Sequence, residues 1–273
     1  MKKLLTSAFL LISLYSTAQE TLTFNDGTSI DVVGADLTVE KIRKLNIGFV
    51  AGLDGLTDMR FFNINYLQPK KFYAGMHLGY ASLTGEGIFF FSGKDIIKRK
   101  RIPLKQLATG YNSATVYVTD VDLEKRVDWG AYVAVSDYGT LFNMFKGEPG
   151  FDGDAYTHGF SKLTVLYAGI AKTGYWGYNV VMENGTSQSH YLGRTVLAPF
   201  VVLKGTAADY ANEENLPSYG LRFSYELTRS SKWFNFGAKL GADGFMRKGK
   251  DVNNTYANFA VAPIIAVGLG LSF

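Results

Sequence analysis

The chain closes with Phe259-Ala260-Val261-Ala262-Pro263-Ile264-Ile265-Ala266-Val267-Gly268-Leu269-Gly270-Leu271-Ser272-Phe273. Successive side chains of a β-strand point to opposite faces. One face of this segment is therefore Phe259, Val261, Pro263, Ile265, Val267, Leu269, Leu271 and Phe273. The other is Ala260, Ala262, Ile264, Ala266, Gly268, Gly270 and Ser272. The first face is wholly apolar and the second mostly tiny. A soluble sandwich strand turns polar residues to water on one side. A strand with hydrocarbon outside and a crowded interior needs this pattern instead. Pro263 lacks the N–H that a ladder requires, so a bulge or an unpaired position is expected there.

The same alternation recurs upstream. Phe72, Ala74, Met76, Leu78 and Tyr80 alternate with Tyr73, Gly75, His77, Gly79 and Ala81. Trp129, Ala131, Val133 and Val135 share a face, as do Leu163, Val165, Tyr167 and Gly169, and Val196, Ala198, Phe200 and Val202. Leu221, Phe223, Tyr225 and Leu227 alternate with Arg222, Ser224 and Glu226. Phe234, Phe236, Ala238, Leu240 and Ala242 alternate with Asn235, Gly237, Lys239 and Gly241. Strands are expected at 43–53, 59–67, 71–83, 113–121, 127–136, 160–171, 191–203, 219–228, 232–243 and 257–273, ten in all. Residues 172–190 hold Tyr175, Trp176 and Tyr178 and are able to extend the sixth strand or form another hairpin. Twelve strands is then the alternative, and eight if the first pair falls away. The fold class read from these patterns is all-β, an antiparallel up-and-down transmembrane barrel.

The remaining composition agrees. The 273 residues are 47% hydrophobic and 15% aromatic, with 30 Gly and no Cys. Absent Cys excludes a disulfide scaffold, a thiolate nucleophile and Cys-ligated metal. Residues 1–19 read as a secretory signal: Lys2 and Lys3, an apolar run from Leu4 to Tyr15, then Ser16-Thr17-Ala18. That run falls short of the about 20 residues a membrane helix needs. Its removal lowers the formal charge from +4 to +2, which argues against nucleic acid as a partner. Residues 20–42 read as a short periplasmic segment, with a hairpin signal at Asn25-Asp26-Gly27, and 43–273 as the barrel.

An exported chain whose alternating last strand ends on Phe273 resembles bacterial outer-membrane β-barrel proteins. The resemblance implies the cell outer membrane as location. It also implies Phe273 as part of a signal for the barrel-assembly machinery, and outer-membrane lipid and lipopolysaccharide as surroundings. Aromatic side chains near predicted strand ends (Tyr66, Phe72, Tyr80, Trp129, Tyr138, Phe160, Tyr219, Tyr225 and Trp233) then form interfacial girdles. The long polar connections 84–112, 137–159, 205–218 and 245–256 face outward, and the short ones 68–70, 122–126 and 229–231 face the periplasm.

Candidate chemistry is sparse. Tyr73, His77, Arg222, Glu226, Asn235 and Lys239 are expected to face the lumen, with Arg222, Glu226 and Lys239 able to form an ion-pair plug. A water-filled channel takes about 16 strands, so ten leave at most a narrow passage. Lys98, Arg99, Lys100 and Arg101 lie in the densest basic run, a candidate contact for lipopolysaccharide phosphates or simply a solvated loop. Asp152, Asp154 and His158 share one predicted outer loop, the best lead to a hydrolase, although no complete nucleophile, base and orienter is present. No catalytic residue, cofactor or metal ligand is assigned. The expected role is structural, surface-interacting or narrow-passage, with an outer-membrane hydrolase and a soluble exported β-barrel binding protein as the alternatives.

Overall fold

A computed structural model describes residues 20–39, 44–57, 59–79, 82–110, 113–138, 160–183, 185–207, 217–231, 233–247 and 259–273. The expected signal segment, the Asp152–His158 loop and Tyr80 lie outside these residues. The strands are β1 (Glu20–Thr23), β2 (Ser29–Asp36), β3 (Leu45–Asp54), β4 (Met59–Gln68), β5 (Phe72–Gly79), β6 (Ser82–Gly110), β7 (Ser113–Tyr138), β8 (Phe160–Met182), β9 (Gly185–Ala207), β10 (Pro217–Ser231), β11 (Phe234–Arg247) and β12 (Phe259–Ser272). They form one sheet in which β3 to β12 make a closed ring of ten, with β12 paired to β3 and β8 to β9. The protein is an all-β up-and-down barrel.

The described residues fall into two compact units. The barrel unit is Arg43–Lys94, Val127–Gly174 and Tyr191–Phe273. The other unit gathers the N-terminal strands with Asp95–Arg126 and Tyr175–His190. Strands β6 to β9 thus contribute one part to each unit.

In the barrel unit, β12 runs in unbroken register with β11 from Phe259 opposite Met246 to Leu271 opposite Phe234. Its alternate residues are exposed and its intervening Ala262, Ile264, Ala266 and Ser272 are buried. Pro263 makes no bulge. It faces Ala242 within the ladder, and pairing with β3 begins one residue later, at Ile264. Phe273 caps the closure: its carbonyl accepts from the backbone N–H of Lys44 and Leu45, and its own N–H donates to Leu45 O at 2.9 Å. Two register shifts, between Phe49 and Gly52 and between Arg60 and Phe62, re-aim side chains as bulges do. The second moves the inward face from even-numbered Arg60 to odd-numbered Asn65 and Leu67.

Outward positions are apolar around the ring: Phe49, Leu83, Phe89, Val133, Leu197, Phe223, Leu240 and Leu269 are all exposed. The interior is divided in character. Leu163, Val165, Tyr167, Val196, Ala198 and Phe200 on β8 and β9 point inward and are buried, rather than joining the outer face. Those two strands carry apolar residues on both faces, because Ile170, Leu197, Val201 and Leu203 remain exposed outside. Tyr138 is buried, not in a girdle, since it lies on the opposite parity from Trp129. The exposed aromatic residues include Tyr66, Trp129, Tyr219, Tyr225 and Trp233.

Two expected loops are strand. Residues 84–112 fall almost wholly within β6, and no turn interrupts β7 at 122–126. Lys98, Arg99, Lys100 and Arg101 therefore stand on a strand, in a long hairpin with β7 where Arg101 meets Asp120 and Asp95 meets Arg126. His190, at the end of the 172–190 stretch, lies within β9 and is buried.

The other unit has its own apolar cluster: Ile30, Ile102, Leu104, Tyr117, Leu123, Tyr178, Val180 and Met182. β1 pairs with β2, and β2 pairs with β8 at Asn179–Met182. The β1–β2 turn is closed by Gly27, whose φ of +82° suits glycine. Asp26 beside it accepts from the Tyr117 hydroxyl at 2.5 Å, and that bond holds its carboxyl below the ordinary value.

Candidate functional site

The inner surface of the barrel carries two clusters of charge. In the first, Arg222 on β10 donates to both oxygens of Asp243 on β11, each at 2.7 Å. This two-pronged geometry is the strong form of a carboxylate pair. The same guanidinium donates to the Tyr167 hydroxyl at 3.2 Å and to the Asp54 carbonyl at 3.3 Å, and lies 4.2 Å from the Tyr167 ring centre. Asp54, at the end of β3, also pairs with Arg60 and with Lys239 Nζ at 3.2 Å.

The short turn after β3 folds onto this cluster. Leu56 is completely buried, and its backbone N–H donates to Asp243 Oδ2 at 3.1 Å. Gly55 makes that approach possible: its φ is +67°, and a Cβ there would stand 2.1 Å from Asp243 Oδ2. Short connections in small barrels usually sit at the rim. Here one is tied to the interior by a buried carboxylate.

The second cluster centres on Glu86 of β6. Its Oε1 meets His77 Nε2 at 2.8 Å, Arg194 Nη2 at 2.7 Å and the Tyr73 hydroxyl at 3.3 Å. Its Oε2 accepts from the Tyr132 hydroxyl at 3.1 Å. Arg194 continues to Glu226 Oε2 at 2.6 Å and stacks 4.1 Å from the Tyr73 ring centre. Toward the chain ends, Asn46, Asn235, Ser230 and Ser272 form a neutral hydrogen-bonded group. Beside it is a cavity of about 40 Å³, lined in part by Asn63, Asn65, Asn235 and Lys239. That volume holds about two or three waters.

All six residues expected in the lumen are on this inner surface. Tyr73, His77, Arg222, Asn235 and Lys239 are buried, and Glu226 is half-buried. The structure does not join Arg222, Glu226 and Lys239 in one direct chain. Arg222 goes to Asp243, Glu226 to Arg194, and Lys239 to Asp54. Their partners Asp54, Arg60, Glu86, Tyr132, Tyr167, Arg194 and Asp243 are not among the lumen residues that the sequence pattern singles out. Asp243 was legible, standing four residues after Lys239 and eight after Asn235 on one face of one strand. Glu86 lay in a segment read as loop. Arg60 is turned inward by the bulge.

Chemically the arrangement is a set of cross-links. Each carboxylate is held by cations or hydroxyls from other strands, the condition under which buried charge is tolerated. His77 has a carboxylate partner, but the groups around Glu86 already satisfy it from four sides. Among the described residues no group of three or more His, Asp or Glu gathers as a metal site would require. Comparison of the chain with protein-family models, with curated proteins and with solved structures gives no match.

Proposed function

We propose that this protein is an outer-membrane β-barrel whose lumen is closed, acting in the envelope as a scaffold and interaction platform rather than as a pore or an enzyme. One observation carries the reading: charge is buried inside and hydrocarbon side chains are exposed outside. Asp54, Arg60, Arg222 and Asp243 are each at most 4% exposed, whereas Phe49, Phe89, Phe234 and Leu269 are each at least 67% exposed. In water this inversion is costly on both sides; in a bilayer it is the favourable arrangement. The signal segment and the resemblance of the last strand to outer-membrane barrels support the location.

Closure of the lumen follows from what fills it. Arg222, Arg194, Tyr73, Tyr132, Tyr167 and Phe200 project into a ring of only ten strands. Two ion-pair clusters then tie opposite walls together. In this reading the rim where Phe273 meets Lys44 and Leu45 is the periplasmic one. The barrel part of β6 leaves by the same rim, because Phe90 N–H donates to Lys71 O in the turn between β4 and β5.

The test has two parts. Membrane fractionation with unboiled and boiled gel samples is expected to give a membrane-bound band that shifts on heating. Planar-bilayer recording of the purified protein is expected to give no steady conductance. A chain that stays monomeric and folded in buffer without detergent removes the membrane reading. A stable open level removes the closed lumen.

A further inference from the structure

We propose that β6 between Asp95 and Ile102 is a docking edge for an extended acidic segment of a partner protein, which adds to the sheet as a further strand. The neighbours of β6 are β5 and β7. The β5 ladder ends at Phe89, and its last bond is Phe90 N–H to Lys71 O. Beyond that point one edge of β6 has no strand beside it among the described residues. The edge closes again at Pro103, whose carbonyl accepts from the Ser187 hydroxyl. A strand edge presents a row of backbone donors and acceptors, which is the template used in strand addition.

The side chains on this stretch give the partner its chemistry. Asp95, Ile96, Ile97, Lys98 and Arg99 are all exposed, so both faces of the strand stand open. The one acidic side chain, Asp95, is bonded to Arg126 at 2.7 Å. Arg101 holds Asp120 at 3.1 Å, and Lys100 lies 5.2 Å over the Trp176 ring. Lys98 and Arg99 carry no ion pair among the described residues and point to opposite faces. An incoming strand with carboxylates on both faces meets one cation on each, at the cross-strand distance where opposite charges stabilise. Ile96 and Ile97, 40% and 64% exposed, offer an apolar contact on each face as well.

Charge selects the occupant. A second copy of this chain would bring Lys98 to Arg101 against itself, and like charges directly opposite are destabilising. A phosphate polymer would satisfy the cations but leave the backbone edge and both isoleucines unused. Lysine on an edge also serves to block unwanted pairing, and that purely protective role is what the experiment must separate.

The probe is an acetylated and amidated heptapeptide with Glu at two adjacent central positions, one for each face of the strand, and Thr elsewhere, added to the full-length protein in detergent. Saturable binding that weakens with salt is expected, together with slowed amide exchange at Ile96 to Lys100. The double variant Lys98→Glu/Arg99→Glu is expected to bind about tenfold or more weakly, while keeping its heat-dependent gel shift. Should that variant fail to fold, Lys98→Gln/Arg99→Gln gives the same comparison without charge reversal. Absence of saturable binding overturns the proposal. So does binding that leaves those amides unprotected, binding that the charge variants retain, or displacement of the peptide by an equal concentration of tripolyphosphate.

Discussion

Arg222 and Asp243 are joined through both guanidinium prongs at 2.7 Å, and the backbone N–H of Leu56 shares the same carboxylate at 3.1 Å. One pair on neighbouring strands thereby anchors a turn from the other side of the barrel closure. Removing Arg222 leaves a buried carboxylate with a weaker set of donors. Arg222→Ala is expected to lower stability by about 3–5 kcal/mol, the range for breaking one partner of a buried pair. The double variant Arg222→Leu/Asp243→Leu is expected to lose less than the single one. Urea unfolding in detergent, followed by the gel shift, measures both. With Asp243→Leu measured as well, a double loss equal to the sum of the two single losses would show that the pair contributes no coupling.

Gly55 is the hinge of the anchored turn. A methyl group there meets Asp243 Oδ2 at 2.1 Å while the backbone holds φ at +67°. Gly55→Ala is expected to cost about 1–3 kcal/mol from the strained conformation alone. Thermal unfolding of the variant reads the loss, and a midpoint equal to that of the unmodified chain would contradict the geometry.

The outer face is tested at Val267, which is 52% exposed and stands between Ala238 and Ala51 on the flanking strands. Val267→Arg is expected to destabilise the barrel by about 2–4 kcal/mol if the site lies near the middle of a bilayer. On a water-facing surface the same change costs almost nothing. Folding into lipid vesicles, monitored by the gel shift, distinguishes these results.

Closure of the lumen predicts a gain of conductance. Arg194 links Glu86 to Glu226 and lies against Tyr73. Shortening two of these side chains together, Tyr73→Ala with Arg194→Ala, is expected to turn a silent barrel into one with small, brief openings in planar bilayers. Continued silence with the fold intact would mean that the apolar packing of β8 and β9 suffices to close it.

Acid acts on the unit that holds β1 and β2. The Tyr117 bond lowers the Asp26 pKa below the ordinary value of 3.8. For a depressed carboxylate, the stabilisation is present above the unfolded value and disappears as pH falls through the folded one. Asp26 is therefore expected to titrate below pH 3.8, and in Tyr117→Phe closer to 3.8. Carboxyl NMR shifts across pH 2–5 follow both forms. An unshifted titration in the Phe variant would remove Tyr117 as the cause.

Period-two alternation makes the barrel readable from the residues. Phe259 to Phe273 declared an apolar and a small face, and both are seen in β12. Arg222, Ser224 and Glu226 on one parity of β10 marked inward positions in the same way. The pattern failed wherever parity changed or both faces shared one character. The bulge at Arg60 reverses the inward face of β4 within two residues. Leu163, Val165 and Tyr167 resemble an outward stripe by composition but fill the interior. The basic run from Lys98 to Arg101 looked like loop because charge usually marks solvent, and an exposed strand edge meets solvent too.

The residues alone determined an all-β ring of alternating strands, and many of the side chains that turn inward, since these depend on neighbours along one strand. Which carboxylate meets which cation was decided in three dimensions. Asp54 and Lys239 are 185 positions apart, and Leu56 and Asp243 are 187. Their meeting depends on closure of β3 onto β12 and on two bulges, geometry that no local period records.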